Sequence, residues 1–419
     1  MARTFRSSRV SGCIALLAAA VGVVSGCSTL RIDPQHIMDP VWPVEGRDVL
    51  RSNTVPDQVN PPLRQYWRFN AQAGFGLVSP LVLGDAILVA TRKGEVHAID
   101  LESGKRVARD AFGDAIEGTP AHADDLLVVP VAWGGRAVRA SDLLTGERLW
   151  RAGNIPVSSG LVVWGDFVLG GDVEGYVRAW RLQDGEEAWS VQLDERAGIY
   201  STPVLIDDIV IVANDHGRVT ALNPSDGSLA WSADAGAPVQ VSLAATEDVV
   251  FVATTRGGIR ALDARSGVLR WAYDLTNGEE GEYIAGTGGL PSRRGSFAPP
   301  QKYLTAPAVG ERDVVFGASD GIVRSLHIAD GSLNWETDAS AAISAPPVIT
   351  AETVYVGTMG ALLMGFDRND GRLIWSTELD GRIKSAFALK ESRLIVLAEP
   401  RYVYVYEPDP GDDETEEGE

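Results

Sequence analysis

The chain has 419 residues, with 45% apolar residues, 45 Gly and 22 Pro, a composition typical of a folded, turn-rich protein. Its formal net charge of −20 argues against a nucleic-acid partner and against a surface that adheres broadly to anionic lipid. A repeat architecture would explain the length, because repeats grow by addition rather than by enlarging one core.

The first 26 residues have the features of a secretory signal peptide. Three arginines precede the apolar run CIALLAAAVGVV, which is too short to span a bilayer as a stable helix. The run ends in VSGC, which resembles a bacterial lipobox with Cys27 as the lipidated residue; the alternative is an ordinary signal peptide with a chance cysteine. Ser28, in place of aspartate, implies sorting to the outer membrane. We expect residues 27–61 to form a lipidated tether.

The rest of the chain carries a repeat of about 40 residues. In one copy a small residue, Ala261, is followed six positions later by Gly267 and four further on by Trp271. The same spacing recurs along the chain, and only the interval between Trp271 and Trp335 is longer. The tryptophans in this register are Trp67, Trp150, Trp189, Trp231, Trp271, Trp335 and Trp375, while Ala108 takes the eighth position.

Each repeat reads as four short strands. An opener such as Thr202-Pro203 leads into β-branched runs that are bounded by Asp, Asn and Gly, the residues that turns require. Four strands at this period form one propeller blade. A large indole fits between blades only where the facing strand presents a small residue, so we expect the seven tryptophans to dock neighbouring blades.

The two ends of the repeat region indicate how the ring closes. The last repeat ends in Pro408 and Gly411, and has Thr415 where tryptophan should stand. The missing tryptophan is Trp67, just before the first full repeat. We therefore predict an all-β, eight-bladed β-propeller over residues 62–411, in which the N-terminal strand completes the last blade and no sheet edge stays open. Residues 412–419 form an acidic tail that we expect to be disordered.

The Ala-x-Asp-x-x-x-Gly-x-x-x-Trp unit resembles the repeat of pyrroloquinoline-quinone (PQQ) type eight-bladed propellers. With the lipobox and a short tether, the chain looks like a member of the BamB-like lipoproteins of the outer-membrane β-barrel assembly machinery. The resemblance implies a non-catalytic scaffold on the periplasmic face of the outer membrane. Its implied partners are the BamA-like barrel-forming subunit, outer-membrane protein clients and, through the lipid, the membrane. The protein would be a monomer within that complex.

An enzyme has less support. Quinone-dependent dehydrogenases of this superfamily place adjacent cysteines against the quinone and a carboxylate beside Ca²⁺, but this chain has no cysteine after Cys27 and no clustered acidic loop. Its five histidines lack metal-type spacing, and a Gly-x-Ser-x-Gly elbow is missing. We predict no catalytic residues, no metal and no cofactor. A quinone- or small-ligand-binding periplasmic propeller remains the alternative.

Two candidate partner sites follow from the residues themselves. Trp133 and Arg136 lie in a long turn and pair an aromatic with a cation, as interface hot spots do; the alternative is a locally packed tryptophan. The insertion at about 277–300, which holds Arg293 and Arg294, is long enough to be either functional or disordered. An alternative function is therefore a generic envelope adaptor that recruits its partner through this insertion.

A third candidate comes from the resemblance. In BamB-like proteins the contact with the barrel-forming subunit involves connections around the third and fourth blades. The matching residues here are Arg151, Asn154, Glu195, Arg196 and Tyr200. The family pattern has an acidic pair just before the Thr-Pro opener, where this chain has Gly198 and Tyr200.

Overall fold

The computed structural model describes residues 29–56, 58–132, 137–194, 196–275 and 304–411. These residues form 33 strands and one 3-10 turn, Pro34–His36. The part of the chain that is described contains no helix long and apolar enough to cross a membrane. The strands make eight antiparallel sheets, each one blade of a propeller, which confirms the predicted fold class.

The first two strands are β1 (Pro40–Trp42) and β2 (Leu63–Asn70). Blades 1 to 4 follow, each given from its inner to its outer strand. They are β3 (Leu81–Leu83), β4 (Ala86–Ala90), β5 (Glu95–Asp100), β6 (Arg106–Ala111); β7 (Ala121–Ala123), β8 (Leu126–Pro130), β9 (Val138–Asp142), β10 (Arg148–Ala152); β11 (Val162–Trp164), β12 (Phe167–Gly171), β13 (Tyr176–Arg181), β14 (Glu187–Gln192); and β15 (Val204–Ile206), β16 (Ile209–Ala213), β17 (Arg218–Leu222), β18 (Leu229–Asp234).

Blades 5 to 8 continue the pattern. They are β19 (Ala244–Ala245), β20 (Val249–Ala253), β21 (Gly258–Asp263), β22 (Leu269–Asp274); β23 (Ala308–Val309), β24 (Asp313–Gly317), β25 (Ile322–His327), β26 (Leu333–Asp338); β27 (Val348–Ile349), β28 (Thr353–Gly357), β29 (Leu362–Asp367), β30 (Leu373–Glu378); and β31 (Ala388–Lys390), β32 (Arg393–Ala398), β33 (Tyr402–Pro408). We call the face with the connections between blades the upper face. The turns that join first to second and third to fourth strands lie on the lower face.

Strand β2 completes blade 8 and closes the ring as predicted. It pairs antiparallel with β33 from Leu63 opposite Pro408 to Asn70 opposite Tyr402. The last blade is therefore built from both ends of the propeller region, and its outer strand precedes its other three strands by more than 300 residues.

Six of the outer-strand tryptophans lie against a glycine of the next blade. The indole Nε1 of Trp150 donates to the carbonyl oxygen of Leu182 at 2.7 Å. Gly185 has φ +73°, and a Cβ on it would lie 2.4 Å from the Trp150 ring, so both conformation and space require glycine. The other five pairs are Trp67–Gly104, Trp189–Gly227, Trp231–Gly267, Trp271–Gly331 and Trp335–Gly371.

The sequence suggests a tether over residues 27–61, but the described residues between 29 and 61 pack on the propeller instead of extending from it. We call the described part of this segment the N-terminal strap. Strand β1 pairs with β3 as a fifth, innermost strand of blade 1. Leu30, Ile32 and Trp42 of the strap are at most 1% exposed. Its apolar side chains explain the difference, because burying them stabilises a docked segment over a solvated one.

Candidate functional site

A cavity of about 440 Å³ opens on the upper face at the axis of the ring. We call it the funnel. All eight connections between blades contribute to its wall, so it lies at the centre rather than at one interface. Its members from these connections include Leu77, Glu117, Ser158, Tyr200, Gln240, Ala306, Ser344 and Lys384. A cavity of this size at the centre of a fold is a natural place for a ligand.

The floor of the funnel comes from the strap. The Glu45 carboxylate accepts hydrogen bonds from the Thr202 hydroxyl at 2.7 Å and the Ser242 hydroxyl at 2.5 Å. Below it, Arg51 is 1% exposed and donates to the backbone carbonyl oxygens of Pro203 and Glu45, at 2.7 and 2.8 Å. Burial lowers the pKa of Arg51 to about 10, against the opposing effect of the Glu45 and Asp48 charges.

Beyond Glu45 the strap follows the inner strands of four blades. Backbone N–H groups of Leu205, Ala245, Val309 and Ile349 donate to strap carbonyl oxygens at 2.7 to 3.0 Å. These four residues occupy the second position of β15, β19, β23 and β27. The channel of the propeller is therefore filled by its own chain, and the funnel is closed at its lower end.

The cations of the funnel wall are engaged by acids. Glu399 lies within 2.9 Å of both the Lys384 ammonium and the Arg382 guanidinium, and Arg92 pairs with Glu117 at 3.1 Å. Burial favours a higher pKa for Glu399, but the hydrogen bonds from Lys384 and Arg382 outweigh it and hold this pKa below its usual range. The charged groups of the funnel wall are therefore paired within the fold.

We examined the funnel and its surroundings for side chains that could ligate a metal. Among the residues that the structure describes, there is no group of three or more His, Cys, Asp or Glu side chains placed to hold a metal ion. His97 and His122 lie on strands of different blades, β5 and β7, and burial lowers the pKa of both.

The predicted partner residues are spread over the upper face from rim to axis. Arg151 is exposed on the outer strand β10, and Asn154 follows it at the rim of a separate cavity of about 270 Å³ beside Trp180. Arg196 is exposed in the connection from blade 3 to blade 4, and Tyr200, 39% exposed, lines the funnel. Six other predicted residues lie outside the described residues: Cys27, Trp133, Arg136, Glu195, Arg293 and Arg294.

Asp194 is the described acid nearest to the family's acidic pair, and it is held within blade 4. Its carboxylate accepts from the Asn214 amide and the Arg218 guanidinium, both at 2.8 Å. Burial favours a higher pKa for Asp194, and these two hydrogen bonds outweigh it, so the pKa lies below its usual range. The missing acidic pair is therefore not replaced by a free acid at Asp194.

The sequence analysis missed Glu45 and Arg51. Both lie in the segment expected to be a tether, and no repeat register marks them. The available signal was the density of apolar residues in that segment, including Leu30, Ile32 and Trp42, which a solvated linker does not need.

Eight four-stranded blades with this repeat define the chain as a PQQ-type β-propeller. A family model for the outer membrane protein assembly factor BamB matches residues 53–163, 134–318 and 319–413, and the chain belongs to that family.

Individual relatives agree with this assignment. The BamB of Burkholderia pseudomallei is 25% identical over 400 residues, which cover 93% of this chain and 96% of that protein. The crystal structure of BamB from Moraxella catarrhalis superposes with a TM-score of 0.66 at 17% identity, covering 82% of this chain and 99% of the other. The quinohemoprotein alcohol dehydrogenase of Comamonas testosteroni reaches a TM-score of 0.70 at 15% identity over 90% of this chain and 82% of its own, which shows a shared fold alone.

Proposed function

We propose that this protein is an outer-membrane protein assembly factor that acts as a non-catalytic, lipid-anchored scaffold. The observation that carries the proposal is the family match, which extends over almost the whole propeller, from residue 53 to residue 413. Within this role the protein binds the barrel-forming, BamA-like subunit on the periplasmic side of the outer membrane and aids the insertion of client outer-membrane proteins.

The proposed contact surface is the upper face over blades 2 to 4. Exposed Arg151, Asn154, Arg196 and Tyr200 belong to it. We also propose Glu195, Trp133 and Arg136 as partner residues from the sequence; these three lie outside the described residues. Arginine and tyrosine are enriched among the residues that dominate interface energies. A spread from rim to axis suits a broad protein partner better than a small ligand.

The absence of catalysis is supported by how the axis is built. The strap fills the channel up to Glu45, and the charged groups of the funnel wall already have partners within the fold. The quinone-binding alternative makes a distinct prediction: stoichiometric uptake of added quinone and Ca²⁺, with an absorbance change and dehydrogenase activity. That result would refute the scaffold proposal.

The membrane attachment rests on Cys27. Changing Cys27→Ala should move the protein from the membrane fraction to the soluble periplasmic fraction. A Cys27→Ala protein that still floats with membranes would contradict lipid anchoring.

The partner is tested by purifying the lipidated protein from detergent-solubilised outer membranes after photo-crosslinking in cells. Crosslinkers at Asn154 and Tyr200 should capture the barrel-forming subunit, and Arg151→Glu with Arg196→Glu should reduce that capture about tenfold. Arg312→Glu with Arg372→Glu is the matched control, because both arginines are exposed in lower-face turns, of blades 6 and 7, and the total charge change is the same. Capture of another envelope protein through residues 277–300 would instead favour the adaptor.

A further inference from the structure

The eight interfaces between blades contain one without a tryptophan, and the strap occupies it. Blade 1 presents Ala108 where six other blades dock an indole on the next blade's glycine. The corresponding glycine of blade 2 is Gly146, and a Cβ on it would meet Thr29 and Arg31 of the strap at 2.8 to 3.1 Å.

The hydrogen bond of the missing indole is also replaced. In the six interfaces where an indole packs on a glycine, its Nε1 donates to the carbonyl three residues before that glycine, as in Trp231 to Ala264 at 2.9 Å. In blade 2 that carbonyl belongs to Leu143, and it accepts from the backbone N–H of Ile32 at 2.7 Å. Arg31 donates to the neighbouring Leu144 carbonyl at 3.1 Å. Leu30 and Ile32 are buried there, so this is a fixed docking site.

The docking site fixes the path of the chain toward its N-terminus. From Glu45 at the axis the strap passes the turn of blade 1, where the carbonyl oxygens of His36 and Met38 lie against Gly84, and reaches Gly146. Gly84 and Gly146 belong to turns of the lower face. The chain therefore reaches Thr29 at the lower face of blade 2, on the side opposite the funnel.

Only Ser28 separates Thr29 from Cys27. Two residues of extended chain span at most about 7 Å. We propose that the lower edge of blades 1 and 2 rests at the lipid surface, so that the disc meets the membrane edge-first and the lower rim of this edge lies nearer to the lipid than the funnel face does. This inference rests on the proposed lipidation of Cys27.

Charge favours an edge contact over a flat one. The chain carries a formal net charge of −20, and a bacterial membrane surface with anionic lipid repels a large acidic face. The acyl chains hold one edge in place, because burying their CH₂ groups in the bilayer is favourable. The third-to-fourth strand turn of blade 2, with exposed Thr145 and Glu147, lies next to the anchor.

The repeat supplies a matched pair of probe sites. Glu147 follows Gly146 in blade 2, and Ser332 follows Gly331 in the diametrically opposite blade 6; both are exposed. The sequence has no cysteine after Cys27, whose thiol the proposed lipidation would block, so Glu147→Cys or Ser332→Cys introduces a unique labelling site.

The experiment uses the full lipidated protein in phosphatidylethanolamine–phosphatidylglycerol vesicles that contain spin-labelled lipid. A fluorophore at position 147 should be quenched at least about threefold more than one at position 332. Inserting twelve Gly-Ser residues between Ser28 and Thr29 should abolish the difference while the protein still floats with the vesicles.

Equal quenching at the two sites, or a difference that survives the inserted linker, would overturn the edge-first placement and leave lipidation intact. If the protein does not float with vesicles, it has no lipid anchor. That result would refute both this inference and the lipid-anchored part of the proposed function. Flotation therefore separates the two failures.

Discussion

The interface between blades 2 and 3 and the interface between blades 1 and 2 reach the same contact by different routes. In the first, Trp150 packs on Gly185 and donates to a carbonyl oxygen of the same turn. In the second, backbone and side chains of the strap cover Gly146, and the Ile32 N–H is the donor. The docking slot thus requires apolar volume and one N–H donor rather than tryptophan itself.

The two contacts also differ in how far apart in sequence their partners lie. Trp150 reaches its slot because its strand belongs to the adjacent blade. The strap reaches Gly146 across more than 110 residues of sequence. One interface depends on the repeat alone, and the other on a segment that has no repeat. Variants can show separately how much of the stability depends on the repeat and how much on the strap; the largest expected effect comes first.

The strongest test removes everything before residue 71. This deletion removes both β2 and the strap that fills the channel. Without β2, the strand β33 has an open edge. We expect loss of cooperative folding, measured as the disappearance of the thermal transition in circular dichroism. A protein that begins at residue 29 is the control and should melt normally. A parent-like transition in the shorter protein would contradict ring closure by β2.

Truncating a docked tryptophan tests the regular interface. Trp150→Ala should lower the free energy of unfolding by about 3–5 kcal/mol, because it empties a well-packed slot and removes a hydrogen bond. Trp375→Ala should cost less, since Trp375 is only half-buried and packs edge-on against Tyr406. Denaturant unfolding measures both. Equal losses of unfolding free energy would show that packing on the glycine contributes nothing beyond the buried area of the indole.

Variants can test directly whether a tryptophan at position 108 can replace the strap on Gly146. Ile32→Ala should cost about 2 kcal/mol, the low end for a buried aliphatic, because the end of the strap can open locally. In a protein that begins at residue 33, Ala108→Trp should recover stability, since the slot on Gly146 is then free. In the longer protein the same change should destabilise, because Thr29 and Arg31 occupy that space. A double-mutant cycle checks the change of sign.

The smallest expected effect is the loss of stability when a turn of the repeat is protonated in acid. The Arg270 guanidinium and the Ser266 hydroxyl and N–H lower the pKa of Asp263 to about 2. A lowered carboxyl pKa adds stability at pH values above its unfolded value near 4, and this contribution is lost as pH falls through about 2. Because the group is largely solvated, Asp263→Asn should cost less than about 1 kcal/mol at pH 7 and only a small part of that at pH 2. Unfolding by urea at both pH values measures it.

The propeller could be predicted because its information is local and repeated. Each copy of the Gly and Trp pair indicates one blade, and Trp67, which has no repeat before it, indicates where the ring closes. The docking of the strap could not be predicted, since Ile32 and Arg51 find partners far away in sequence and follow no period. The described partner candidates also do not converge: Arg151 and Asn154 lie near the rim while Tyr200 lies at the axis. A family pattern can mark connections, but it cannot fix which of their side chains meet.

Contacts of the strap also constrain the order of folding. The Tyr355 hydroxyl donates to the Val59 carbonyl at 2.5 Å, and the Thr54 hydroxyl donates to Val309 at 2.8 Å, across nearly 300 residues in the first case. A chain delivered N-terminus first presents the strap before any of these partners exists. Contacts of such long range slow folding, and unpaired strand edges stay exposed in the meantime. The first segment to be delivered is thus among the last to reach its final place.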